Sequence, residues 1–139
     1  QAEALCEKLG IADKVIFLGN STEIDRILCF SDLFLLPSES ESFGLAALEA
    51  MINRTAVVSS NAGGVPEVNK QGVSGFLTDV GDVEAMAEKA IYILEDQKRL
   101  DKFKNQAFEV ASKFDISNIL PLYEEVYEKA YKARFKNTY

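Results

Sequence analysis

An α/β fold, with a parallel sheet covered by helices on both faces, is the class this sequence predicts, and three observations carry it. Short apolar runs recur: Val15-Ile16-Phe17-Leu18, Leu33-Phe34-Leu35-Leu36, Ala56-Val57-Val58 and Gly75-Phe76-Leu77-Thr78. Stretches with helical periodicity separate them. The runs are continuously apolar rather than alternating, which suits strands buried on both faces of a parallel sheet.

Taken in order, residues 1–9 read as the end of a helix with Ala2, Leu5, Cys6 and Leu9 on one face, stopped by Gly10. Residues 15–18 read as a buried strand ended by Gly19. Thr22-Glu23-Ile24-Asp25 fits a capping box that starts a helix with Ile24, Ile27 and Leu28 inward. A second buried strand, 33–36, closes at Pro37, and residues 45–52 are helical. The third strand is 56–58 and the fourth 75–78. From Asp82, a good cap, a helix follows with Val83, Met86, Ala87, Ala90 and Leu94 inward. Leu100, Phe103, Ala107, Val110 and Phe114 then mark another helix. The last runs from about residue 116 into the 130s, started or bent at Pro121, with Glu125–Lys129 and Glu128–Lys132 as pairs four apart. Residues 1–139 form one domain with no internal repeat. It opens in mid-helix with no strand before that helix, so it is expected to be incomplete on its N-terminal side.

Composition narrows the function. The 139 residues are 47% hydrophobic, enough for a real core, and 22 acidic against 15 basic residues give a net charge of -7. An acidic chain without a basic stripe is a poor partner for nucleic acid. No apolar run approaches the roughly 20 residues of a transmembrane segment. With no histidine, serine–histidine and cysteine–histidine mechanisms cannot operate within the chain, and a zinc site would need two distant cysteines plus carboxylates. Cys6 and Cys29 read as buried free thiols of a cytoplasmic protein.

The chemistry concentrates in Glu41-Ser42-Phe43-Gly44-Leu45 and Glu49, after a strand and at the opening of a helix. Ligands of open α/β sheets bind beyond the carboxyl ends of strands. Ser42 suits a helix cap and Gly44 a close approach of ligand to backbone. The amides of Phe43, Gly44 and Leu45 would then face outward at the positive end of a helix dipole, a ready diphosphate site. The alternative is an ordinary capped helix. Carboxylates beside a diphosphate repel it, so Glu41 and Glu49 instead suggest sugar hydroxyls at either end of that anion. No Asp-x-Asp occurs, so a metal bridging the diphosphate is not indicated.

These residues carry a resemblance. Glu41 to Glu49 is similar to the E-x7-E motif of retaining GT-B glycosyltransferases of family 4. Phe17-Leu18-Gly19, Ser31-Asp32-Leu33-Phe34-Leu35-Leu36-Pro37-Ser38, Gly63-Gly64-Val65-Pro66-Glu67-Val68, Gly72-Val73-Ser74-Gly75-Phe76-Leu77 and Gly81-Asp82 agree in order and spacing. The resemblance implies a Rossmann-like C-terminal, donor-binding domain. Glu41 should bind hydroxyls of the transferred sugar, and Ser42, Phe43, Gly44 and Leu45 should meet sugar and diphosphate. Glu49 should hold the ribose, and Gly19 with Asn20 should lie against the base. The Gly63-Gly64 turn should lie near the cleft, either for function or because the turn needs unusual dihedrals.

Two departures stand out. The family's Gly-x-Pro after Ala-Met is Arg54-Thr55-Ala56 here, with Asn53 expected to end the helix in the left-handed region. The family's diphosphate-neutralising Arg and Lys lie upstream of these segments, outside this chain. Its sheet order, 3-2-1-4-5-6, would leave residues 15–18 without neighbours.

A narrower resemblance rests on residues 41–51, Phe114-Asp115-Ile116 and Ile119-Leu120-Pro121-Leu122-Tyr123. It points to the branch, of Bacteroidetes type, that moves N-acetylglucosamine from its uridine diphosphate (UDP) to L-malate in bacillithiol biosynthesis. The donor would be UDP-N-acetylglucosamine, with no cofactor and no metal, and the acceptor would sit mostly in a missing N-terminal domain. The isolated chain is expected to be inactive. Other readings are a transferase of polysaccharide or glycolipid biosynthesis, a nucleotide-sugar epimerase-like domain, or a non-catalytic nucleotide-sugar-binding module.

Overall fold

The computed structural model describes residues 1–135. Three strands, β1 (Leu33–Leu36), β2 (Ala56–Ser60) and β3 (Gly75–Thr78), form a parallel sheet in the order β1-β2-β3. Leu33 pairs with Ala56, and Val57 with Gly75. Helices α1 (Ala2–Leu9), α2 (Ile24–Phe30), α3 (Leu45–Ile52), α4 (Val65–Val68), α5 (Val83–Leu94), α6 (Gln97–Ala111) and α7 (Ile116–Phe135) complete the fold.

Every residue of β2 is buried, because β2 has a strand on each side and helices on both faces. Alternate side chains feed two cores. Val57 meets Leu28, Ala47, Ala50, Met51 and Val68. Ala56 and Val58 meet Met86, Ile93, Leu100 and Phe103. Helix α6 serves both, with Leu100 and Phe103 in one and Ala107, Val110 and Ala111 in the other.

Several expectations change. The apolar run 15–18 is not a buried strand. It is extended but unpaired among the described residues, with Ile16 82% and Phe17 50% exposed. An apolar run without a hydrogen-bonded neighbour cannot become a sheet member. Helix α2 starts at Ile24 without a side-chain cap, because the Ser21 hydroxyl accepts the Glu23 amide and the Thr22 box does not form. Ile24 is exposed and Leu28 carries the burial. Strand β1 is half-buried, with Leu35 exposed. Helix α5 is capped as expected by Asp82, 2.9 Å from the Ala85 amide. Of the residues expected inward, Met86 and Ala90 are buried, with Ile93 beside them, and Val83, Ala87 and Leu94 are exposed.

Asp96 caps α6 through the Arg99 amide at 2.8 Å. Helix α7 starts at Ile116, so Pro121 lies inside it rather than opening it. The pairs Glu125–Lys129 and Glu128–Lys132 close at 2.6 and 2.9 Å. Cys6 is half-buried and Cys29 exposed, and both are free, so neither is a buried thiol. Asn53 ends α3 with φ -84°, and Arg54, where the family has glycine, takes the left-handed turn at φ 58°. Its guanidinium lies 4.2 Å from the Phe108 ring and donates to Asn105 at 2.7 Å. No helix among the described residues is long and apolar enough to cross a membrane.

Candidate active site

Residues 37–44 connect the end of β1 to helix α3, whose start differs from expectation. Ser42 does not cap it. Gly44 stands at the cap position with φ 93°, where no side chain caps. Ser42 is exposed and gives its amide to Glu41 Oε1 at 3.2 Å. A glycine cap has no side chain to occupy the first-turn amides, so those of Leu45 and Ala46 keep their capacity for an anion.

Glu41 is half-buried at the loop, and Gly44 is buried. The Phe43 ring is half-buried and meets Phe114 edge-on, centroids 6.1 Å apart. Leu45 is exposed on the first turn. Glu49, one turn further, is exposed and lines a groove of 620 Å³ between α3 and residues 112–118. Leu45, Ile52, Phe108, Phe114 and Asn118 form much of its wall. Asp115, at the rim, accepts the hydroxyl and the amide of Ser117, and these bonds hold its carboxyl below the ordinary aspartate value. Leu45 and Glu49 thus line one groove, which residues 41–44 do not line; Glu41 stands in the loop before α3. Gly19, with φ 62°, and Asn20 lie exposed in the unpaired segment. Among the described residues no hydrogen bond ties either to the motif.

The Gly63-Gly64 turn, left open by the sequence, packs directly under this loop. The Gly64 amide points to the Glu41 carbonyl at 3.4 Å, and a Cβ on Gly63 would overlap that same oxygen. Sequence reasoning missed Asn69. It is fully buried just after α4 and donates to Ser59 Oγ at 2.9 Å, Phe76 O at 3.1 Å and Val57 O at 3.3 Å. Its Oδ1 accepts the Ser74 hydroxyl at 3.0 Å. Its sequence surroundings, Glu67-Val68-Asn69-Lys70-Gln71, are mostly polar and carry no signal of burial.

The parallel sheet and the motif at its carboxyl edge define a Rossmann-like α/β layer of the kind found in the C-terminal part of GT-B glycosyltransferases. Residues 1–110 match the family model of glycosyl transferases group 1, and the chain belongs to that family. N-acetyl-alpha-D-glucosaminyl L-malate synthase of Bacillus anthracis is 40% identical over 88% of this chain and 32% of its own length. D-inositol 3-phosphate glycosyltransferase of Mycobacterium ulcerans is 44% identical over 60% of this chain and 18% of its own. Among solved structures, HepE of Anabaena in complex with UDP superposes with a TM-score of 0.86 at 30% identity, over 92% of this chain and 36% of that one. The chain spans about a third or less of the length of these relatives.

Proposed function

We propose that residues 1–139 are part of the donor-binding domain of a retaining glycosyltransferase that passes N-acetylglucosamine from its UDP donor to L-malate. The observation that carries this reading is the uncapped α3 N-terminus, with Glu41 in the loop before it and Glu49 one turn inside the helix. The first-turn amides take the diphosphate, Glu49 the ribose and Glu41 the hydroxyls of the departing sugar. Ser42, Phe43, Gly44 and Leu45 line the path between them, and Gly19 and Asn20 approach the base in the whole protein. Departure of the nucleotide diphosphate leaves an oxocarbenium-like sugar. Amides aimed at the leaving group stabilise the charge that grows there. Glu41 keeps the sugar in a geometry open to same-face attack by the acceptor. Support for the UDP donor comes from the likeness to HepE, solved with UDP and with UDP-glucose. Support for L-malate comes from the relative that is 40% identical over 88% of this chain.

A second acceptor is favoured by one observation, the 44% identity to D-inositol 3-phosphate glycosyltransferases over a shorter stretch. The whole protein should be given UDP-N-acetylglucosamine with L-malate or with inositol 3-phosphate. Glycosyl malate in the α configuration is the expected product. Transfer to inositol 3-phosphate alone would replace the acceptor, and failure to bind UDP would overturn the donor.

A further inference from the structure

We propose that the Gly63-Gly64 turn is a positioning device, a backbone stop that sets where Glu41 and the amides of residues 43–45 stand. This rests on the role given to Glu41 above. Four glycines of the chain, Gly10, Gly19, Gly72 and Gly81, have open space where a Cβ would be. Gly63 and Gly64 do not. A Cβ on Gly64 would lie 2.7 Å from the Ser42 carbonyl oxygen and 2.9 Å from the Phe43 Cα. Gly64 has φ -84° and ψ -2°, a conformation any residue can adopt. Its backbone therefore does not require glycine. The space does, and the neighbours that fill that space are the motif's own backbone.

The turn is also anchored from behind. It leads into α4, whose Val65 and Val68 are buried and would touch a Cβ on Gly44 at 3.3 and 3.2 Å. Asn69, next in the chain, is bonded to both β2 and β3. The motif loop thus rests at three consecutive points, Ser42, Phe43 and Gly44, on a segment fixed to the sheet. A side chain on Gly64 would have to push one of the two away by roughly 0.6–1 Å to restore ordinary carbon contacts. The turn is tied to both β2 and β3 through Asn69, whereas the loop is held by Phe43 on Phe114 and by the turn itself, so the loop is the part expected to give way. A displacement of that size at a residue that orients the sugar costs on the order of 10²-fold in rate.

The test uses the whole protein with Gly64→Ala, and Gly72→Ala as a strained but uncrowded control. Crystal structures of both are set beside kcat and UDP affinity. We expect the Glu41–Phe43 backbone to shift by roughly 0.6–1 Å in Gly64→Ala. Its kcat should fall about 10–100-fold, more than its affinity for UDP, which is held also at Glu49. Gly72→Ala should keep its kcat. If Gly64→Ala does not fold, Val68→Ala, which removes methyl groups facing Gly44, should loosen the same loop and lower kcat. A Gly64→Ala structure in which α4 moves and the loop stays overturns the proposal, as does a kcat within about twofold of wild type. If the wild-type protein does not bind UDP, the donor assignment fails, and the structures alone decide whether the turn positions the loop.

Discussion

Two apolar runs of similar composition end up in opposite states. Ala56-Val57-Val58 lies at the centre of the sheet, wholly buried, with β1 and β3 on its flanks. Val15-Ile16-Phe17-Leu18 is extended, unpaired and largely exposed. Hydrophobicity and β-propensity do not distinguish them. Neighbours do: a strand is stabilised by the pairing of its backbone and by the side chains packed on its faces, and only β2 has both. The site follows the same division. The motif loop sits at the edge of the well-supported half, on a turn tied into β2 and β3, whereas Gly19 and Asn20 sit in the unsupported one.

The comparison is sharpened most by removing what ties the supported half together. Asn69→Ala deletes the buried bonds to Ser59, Phe76 and Val57 and takes from the Ser74 hydroxyl its acceptor, leaving it the Lys70 amide. Each buried hydrogen bond lost costs about 0.5–1.5 kcal/mol, so the loss should be about 2–3 kcal/mol in urea unfolding. A loss below about 1 kcal/mol would show that Asn69 is not a clamp. A smaller effect is expected at the turn after α3. Arg54→Gly and Arg54→Ala both delete the contacts to Phe108 and Asn105, but only alanine keeps the left-handed strain. The glycine variant should be more stable by about 1 kcal/mol, and equal stabilities would remove strain from the account. The smallest effect belongs to the unsupported run. Ile16→Ser in the 139-residue chain should change stability by less than about 0.5 kcal/mol. A large loss would mean that residues 15–18 pack in solution against something the structure leaves open.

Much of the architecture is legible in the sequence because it depends on local signals. The bounds of α3, the Asp82 cap and the β3 segment follow from periodicity, turn residues and capping chemistry. What the sequence hides depends on non-local partners. Residues 15–18 read as a buried strand from their apolar pattern alone; it is the sheet order implied by the resemblance that leaves them without neighbours, and they are unpaired among the described residues. In α5, packing against α6 and the sheet buries Met86, Ala90 and Ile93 and leaves Val83, Ala87 and Leu94 outside, a choice the periodicity does not make. At the site, the residues of the motif are legible by type and spacing. Its support is not: Ser42 reads as the cap because serine usually caps, but the Glu41 carboxylate takes its amide and Gly44 takes the cap position. The role of Gly64 depends on backbone atoms more than twenty residues earlier, which no local pattern could reveal.

The central claim, that the two carboxylates divide the donor between them, is open to one direct measurement. Calorimetry of UDP binding should compare Glu41→Ala and Glu49→Ala in the whole protein, with steady-state transfer rates alongside. Ribose is common to UDP and the sugar donor, so losing Glu49 should weaken UDP by about 1.5–3 kcal/mol. Losing Glu41 should leave UDP binding nearly intact while transfer falls, because a misplaced sugar loses its reactive geometry. If Glu41→Ala weakens UDP as much as Glu49→Ala does, the assignment of the two carboxylates is contradicted.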